Sequence, residues 1–153
     1  MSNHREEILV KLVGLMESCS FVASVTRDNP SFNMETYIKS VSNAVLPRIA
    51  ITSSSPTSLD EKQEARKSWG GKIIRFNFDL IIDIYGIAIW PTDADVEFGK
   101  AINEIHQKLF TNHLLDGLVT KMKLIPSPPP ILLDPYYIFK LTLNARYYTD
   151  GGI

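Results

Sequence analysis

Between residues 72 and 89 apolar side chains recur at every second position. Ile74, Phe76, Phe78, Leu80, Ile82 and Ile84 share one parity, while Arg75, Asn77, Asp79 and Asp83 occupy the other, with Ile73 and Ile81 as exceptions. Successive residues of a strand point to opposite faces, so this pattern predicts a strand with one buried face. At roughly 3.3 Å per residue, residues 72–85 extend about 45 Å, more than twice an ordinary strand, so a bend, a bulge or projection beyond the core is expected. Such a strand needs a partner, and the far end of the chain supplies one. There Tyr137, Phe139, Leu141, Leu143, Ala145 and Tyr147 alternate with Lys140, Thr142, Asn144 and Arg146.

The remaining elements arrange themselves around these two ribbons. Ile8, Leu12, Leu15 and Met16 fall at helical spacing and predict an amphipathic helix over residues 4–17. Residues 21–27 are short and β-rich, and Asp28-Asn29-Pro30 ends them with turn chemistry. Residues 31–45 are ambiguous, although a helical turn or two over 35–43 puts Met34, Tyr37, Ile38 and Val41 on one face. Pro47 then opens a small strand over 48–52. After the long run, Trp90-Pro91-Thr92-Asp93 offers a stop and an N-cap. The acids Asp93, Asp95 and Glu97 suit the positive end of a helix whose apolar line runs through Phe98, Ala101, Ile102, Ile105 and Leu109. Residues 114–119 read as a short helix or turn broken at Gly117, 121–125 as a minor strand, and 126–135 as a stiff Pro-rich connector. Residues 149–153 read as a C-terminal tail.

A chain of 153 residues fits one domain, here 1–153, and can bury a sufficient core without disulfides or metals. With 16 basic against 17 acidic residues, no net field draws it to nucleic acid or anionic lipid. Charges near the start of the sequence argue against a signal peptide, and no uncharged apolar run is long enough to span a bilayer. The lone Cys19 fits a reducing compartment and a buried, inert thiol, because no base or oxyanion motif accompanies it. His4, His106 and His113 are scattered without familiar metal-ligand spacing, and Gly70-Gly71 and Gly151-Gly152 lack the context of a phosphate loop. Asp79 and Asp83 stand about 13 Å apart on one strand face, too far for paired-carboxylate chemistry. The sequence therefore points to no catalytic residue, metal site or cofactor.

Two features invite a partner instead. Residues 53–71 turn polar, with a serine-rich start, a mixed-charge run and then Trp69, which predicts a long mobile loop. It reads either as a solvated connector or as a segment that orders on docking through Asp60, Glu61, Lys62, Glu64, Arg66, Lys67 and Trp69. Arg75, Asn77, Asp79 and Asp83 form a polar stripe that meets either water or another subunit.

The order helix, short strand, Pro-led strand, polar loop, long alternating strand, helix and final long strand resembles the phage tail terminator proteins, the lambda-type minor tail proteins. The likeness rests on Leu46-Pro47-Arg48-Ile49-Ala50-Ile51, on Trp69-Gly70-Gly71-Lys72 leading into the run 75–85, on the helix at 95–110, and on the ending 139–148. It implies an α+β domain with a mainly antiparallel (mixed) sheet of about four strands and two main helices packed on one face. It also implies a homo-oligomeric, six-fold ring at the head-proximal end of the virion tail, assembled in the host cytoplasm. Such a ring seats on the last ring of tail tube protein, halts polymerisation and offers a surface to head-completion or neck proteins. DNA passes through its bore without specific binding, and near-neutral charge is compatible with that. The resemblance implies neither an enzyme nor a membrane protein.

Three other readings compete. The nearest is another head–tail connector or tail-completion protein of the neck. From other classes come a small enzyme using Cys19 or the helix-start carboxylates, and a host adaptor domain that binds peptides at a sheet edge.

Overall fold

The computed structural model describes residues 4–30, 33–41, 45–59, 64–68 and 71–151, with 54–59, 64–68, 71–77 and 148–151 described through their backbone alone. In chain order the elements are α1 (His4–Glu17), β1 (Ser24–Thr26), α2 (Met34–Ser40), β2 (Arg48–Leu59), β3 (Glu64–Ser68), β4 (Gly71–Ile89), α3 (Ala94–Thr111), a 3-10 turn (Leu115–Gly117), β5 (Lys121–Ile125), β6 (Ile131–Leu133) and β7 (Tyr136–Gly151). The two alternating runs pair with each other. β4 and β7 are antiparallel and in continuous register from Ile74 opposite Gly151 to Ile89 opposite Tyr136.

This ribbon is the axis of one α+β sheet. β2 and β3 follow one another along the far edge of β4, and β5 and β6 do the same along the far edge of β7. All pairings are antiparallel except β1 with β2. The sheet therefore has seven strands among the described residues rather than about four. Most of the additions come from segments expected to be irregular. Residues 53–71 were expected as a loop, yet β2 runs on to Leu59 and β3 pairs with β4 from Glu64 opposite Arg75 to Ser68 opposite Gly71. β6 lies inside the expected Pro-rich connector, and β7 continues into the expected tail as far as Gly151.

The irregularity expected of so long a strand falls in β2 and not in β4. Register shifts between Ser54 and Ser58, and Pro56, which has no N–H to give a ladder, lies within the shift.

Helices α1 and α3 cover one face. Ile8, Leu12 and Met16 of α1 and Ala101, Ile105 and Leu109 of α3 are buried, and the parity predicted to face inward, Leu80, Ile82 and Ile84, is fully buried beneath them with Leu141, Leu143 and Ala145 of β7. An aromatic cluster fixes the start of α3. Phe98 lies 5.4 Å from Tyr137 and 5.3 Å from Phe139 between ring centroids, and Trp90 lies 5.3 Å from Tyr137. Asp93 holds the N-cap position in a left-handed conformation (φ 53°) without a side-chain capping bond, contrary to the expected cap. Its carbonyl accepts from Glu97 N–H.

The opposite face is not bare. α2, whose N-cap Asn33 accepts from Thr36 N–H, packs Ile38 over Ile87 and Ile138, with Met34, Tyr37, Leu46 and Tyr136 around them. The two long helices share one face, as expected, and the short α2 covers part of the other. The reason is local, because past Asp83 the outward parity of β4 changes to Tyr85 and Ile87, and a strand apolar on both faces must be covered on both.

Candidate functional site

The polar stripe lies on the α2 side of the sheet, beyond the patch that α2 covers. Asp79 accepts from Arg146 across the β4–β7 ladder in a two-pronged contact, Nε to Oδ1 at 3.0 Å and Nη2 to Oδ2 at 3.3 Å. The two residues are register partners, so strand pairing alone brings them together. Four residues along the strand, Asp83 accepts from Thr142 Oγ1 at 3.0 Å, and Lys140 Nζ stands 3.8 Å from the same carboxylate. Lys140 also lies over the Tyr85 ring, 5.5 Å from its centroid. Asp83 is buried within the chain. Both carboxylates are engaged inside the chain, and their geometry serves to pin the register of the ribbon.

Of the other residues expected to face a partner, Arg75 and Asn77 lie on β4, where Arg75 is in register with Glu64 on one side and Asp150 on the other, and Asn77 with Tyr148. Arg66 and Lys67 lie on β3 opposite Ile73 and Lys72. Asp60, Glu61, Lys62 and Trp69 lie outside the described residues. Within the described residues of the charged stretch, Glu64, Arg66 and Lys67 are held by the backbone ladder of β3 with β4.

The thiol and the scattered acids also find places. Cys19 is buried where α1 ends, and burial, followed by the nearby Glu104 carboxylate, pushes its pKa up to about 11. Thiolate is scarce at neutral pH under those conditions. Glu104 ties α3 to the turn after α1, accepting from Ser20 N–H at 2.9 Å and from Ser20 Oγ at 2.8 Å. The Ser20 backbone bond holds its carboxyl below the ordinary value of 4.5. A group with a depressed folded-state pKa stabilises the fold above its unfolded pKa and loses that contribution as pH falls through the folded value. Glu104→Gln is accordingly expected to cost about 1 kcal/mol at neutral pH, discounted for its partial exposure, and nothing in acid below both values. Urea titrations of both proteins at a series of pH values check this. Asp95 of the helix start accepts from Tyr137 Oη at 3.4 Å, and burial raises the pKa of that phenol.

Sequence reasoning missed a groove on the α1–α3 face. α3 and β5 diverge to leave a depression of about 400 Å³ lined by His106, Phe110, His113, Met122 and Leu124. It adjoins a second one, about 440 Å³, between α3 and the Pro-rich connector, and the two share His106 and Leu124. His106 and His113, scattered in the sequence by seven positions on and after α3, thus line one surface. Phe110 is 84% exposed, although it stands in the helix that carries the core. The signal that could have found it was the excess of apolar residues at the end of α3, beyond what one buried stripe needs.

Among the described residues no group of three or more His, Cys, Asp and Glu side chains is placed to hold a metal ion, and no helix is long and apolar enough to cross a membrane. No protein-family model matches the chain, and no curated protein matches it significantly.

Proposed function

We propose that the protein is a structural virion subunit that forms a ring on the end of a phage tail tube, stops tube growth and presents the joining surface to the head and neck. The observation that carries the reading is the order and pairing of the elements. Two long amphipathic strands pair continuously from Ile74 opposite Gly151 to Ile89 opposite Tyr136 and carry α3, which follows the first of them in sequence, on their inner face. This is the arrangement on which the resemblance to tail terminator proteins rests.

The chemistry of the molecule supports an assembly role. Across the ribbon Asp79 is paired with Arg146 and Asp83 with Thr142 and Lys140, and the thiol is buried with a raised pKa. Capping a tube requires one face that matches the tube and another that refuses a further tube subunit, which shape and polarity can supply without a reactive group. Partners on this reading are further copies of the chain, the tail tube protein and a neck protein, with DNA passing through the bore.

Electron microscopy of particles assembled without this protein tests the proposal. Overlong tubes lacking heads are expected of a terminator. Tails of normal length that fail only to join heads would reassign the chain to the head–tail connector class, and unaltered particles would remove it from tail assembly.

A further inference from the structure

Three neighbouring strands form a polar concavity on the part of the sheet face that α2 leaves uncovered. β4, β7 and β5 lie side by side, and their registers align two rows across them, Asp79, Arg146 and Lys121 in one and Ile81, Asn144 and Lys123 in the next. Residues in register share a face, and so do residues two apart on one strand. Asp79, Lys121, Lys123, Asn144 and Arg146 accordingly line a depression of about 190 Å³. Arg146 is committed to Asp79 through the two-pronged contact, whereas the exposed Lys121 and Lys123 have no hydrogen-bond or ion-pair partner among the described residues. Lys121 also stands opposite Arg146, and like charges so placed weaken a ladder unless an anion offsets them.

Lysines on an edge strand discourage stray strand pairing, and guarding the edge would account for these two by themselves. It does not account for Asn144. The side-chain oxygen of Asn144 is buried without a hydrogen-bond donor, the only buried side-chain polar atom left so among the described residues, and such an atom costs stability until it is paired. The missing partners define a ligand. Two unpaired ammonium groups match a dianion, and Asn144 Oδ1 requires a donor on that same ligand. A metal cation is repelled by the lysines, a lone carboxylate brings one charge and no donor, and sulfate brings the charge without the donor. We propose that the depression binds a phosphate dianion that bears a hydroxyl or sits beside one. Lys121 and Lys123 donate to its charged oxygens, the hydroxyl donates to Asn144 Oδ1, and Arg146 offsets the Asp79 carboxylate that would otherwise oppose the anion. The site is independent of the assembly reading and stands or falls apart from it.

Isothermal titration calorimetry of the full chain at fixed ionic strength and about pH 8, where phosphate is a dianion, tests the site with inorganic phosphate, sulfate and ribose 5-phosphate as probes. Phosphate is expected to bind about tenfold or more tightly than sulfate, which has the same shape and charge but no hydroxyl. Lys121→Gln combined with Lys123→Gln, both at exposed positions where the fold is retained, is expected to weaken phosphate binding about tenfold or more. Asn144→Leu is expected to bring phosphate down to the level of sulfate, a loss of selectivity that misfolding cannot imitate, because a collapsed site binds neither. Ribose 5-phosphate binding more tightly than phosphate supports the site with a sugar phosphate as the source of the dianion, and weaker binding supports it with the free ion as the source. Equal binding of phosphate and sulfate by the wild-type chain, phosphate binding unmoved by the lysine pair, or selectivity that survives Asn144→Leu overturns the proposal. Failure of every probe to bind leaves the depression to water and overturns it as well.

Discussion

Gly86→Ala is expected to destabilise the protein by about 3 kcal/mol, although it adds a single methyl group. Gly86 and Phe139 are register partners in the β4–β7 ribbon, and the ring of Phe139 lies flat over the glycine. A Cβ at that position meets the ring atoms at 2.0–2.5 Å, well inside any van der Waals contact. The far end of a flexible side chain would move aside cheaply, but this ring is clamped. Phe98 lies 5.3 Å from it and Trp90 is stacked 6.5 Å away, both between centroids. Displacing Phe139 disturbs the cluster that seats the start of α3, which puts the cost at the upper end of overpacking effects. The midpoint of urea unfolding should fall with its slope unchanged.

Phe139→Ala is expected to cost more, roughly 3–5 kcal/mol. The buried ring is lost together with its contacts to Trp90 and Phe98, and a void opens above a glycine that has no side chain to fill it. The two substitutions are coupled. With Phe139 gone, the methyl of Gly86→Ala meets no ring and occupies part of the void. The double variant should therefore be more stable than the sum of the single effects predicts by about 2 kcal/mol or more. Additive costs would show that ring and glycine do not touch, and the account of how α3 is seated would fail.

These residues also show what was legible in the sequence. The pairing of β4 with β7 and the inward face of Leu80, Ile82 and Ile84 follow from a two-residue period that only Ile73 and Ile81 interrupt before Asp83. The apolar line of α3 was equally plain. The outer strands were not, because their pairing is imposed by a neighbour and not by their own pattern. β2 beyond Thr52 and β3 are serine-rich and charged, and they are strands because β4 offers an extended edge whose N–H and C=O groups need partners. The three residues of β6 carried no period at all. The cover of α2 was readable in principle, since Tyr85 and Ile87 break the polar parity that Asp79 and Asp83 begin.

The candidate surface was legible in part. Asp79 and Asp83 share a sheet face as expected, but the sequence alone does not say that register brings Arg146 to the first and Thr142 to the second. Their role as partners of β7 emerges only once the ladder is known. The α3–β5 groove depends on how far a helix and a strand diverge, which no local pattern records.

Growth of tail tubes from purified tube protein, followed by electron microscopy in the presence of this protein, puts the central reading to the most direct trial. Tubes should stop lengthening and carry a single ring of extra density at one end. Tubes that keep growing, with both ends bare at saturating concentration, would contradict it.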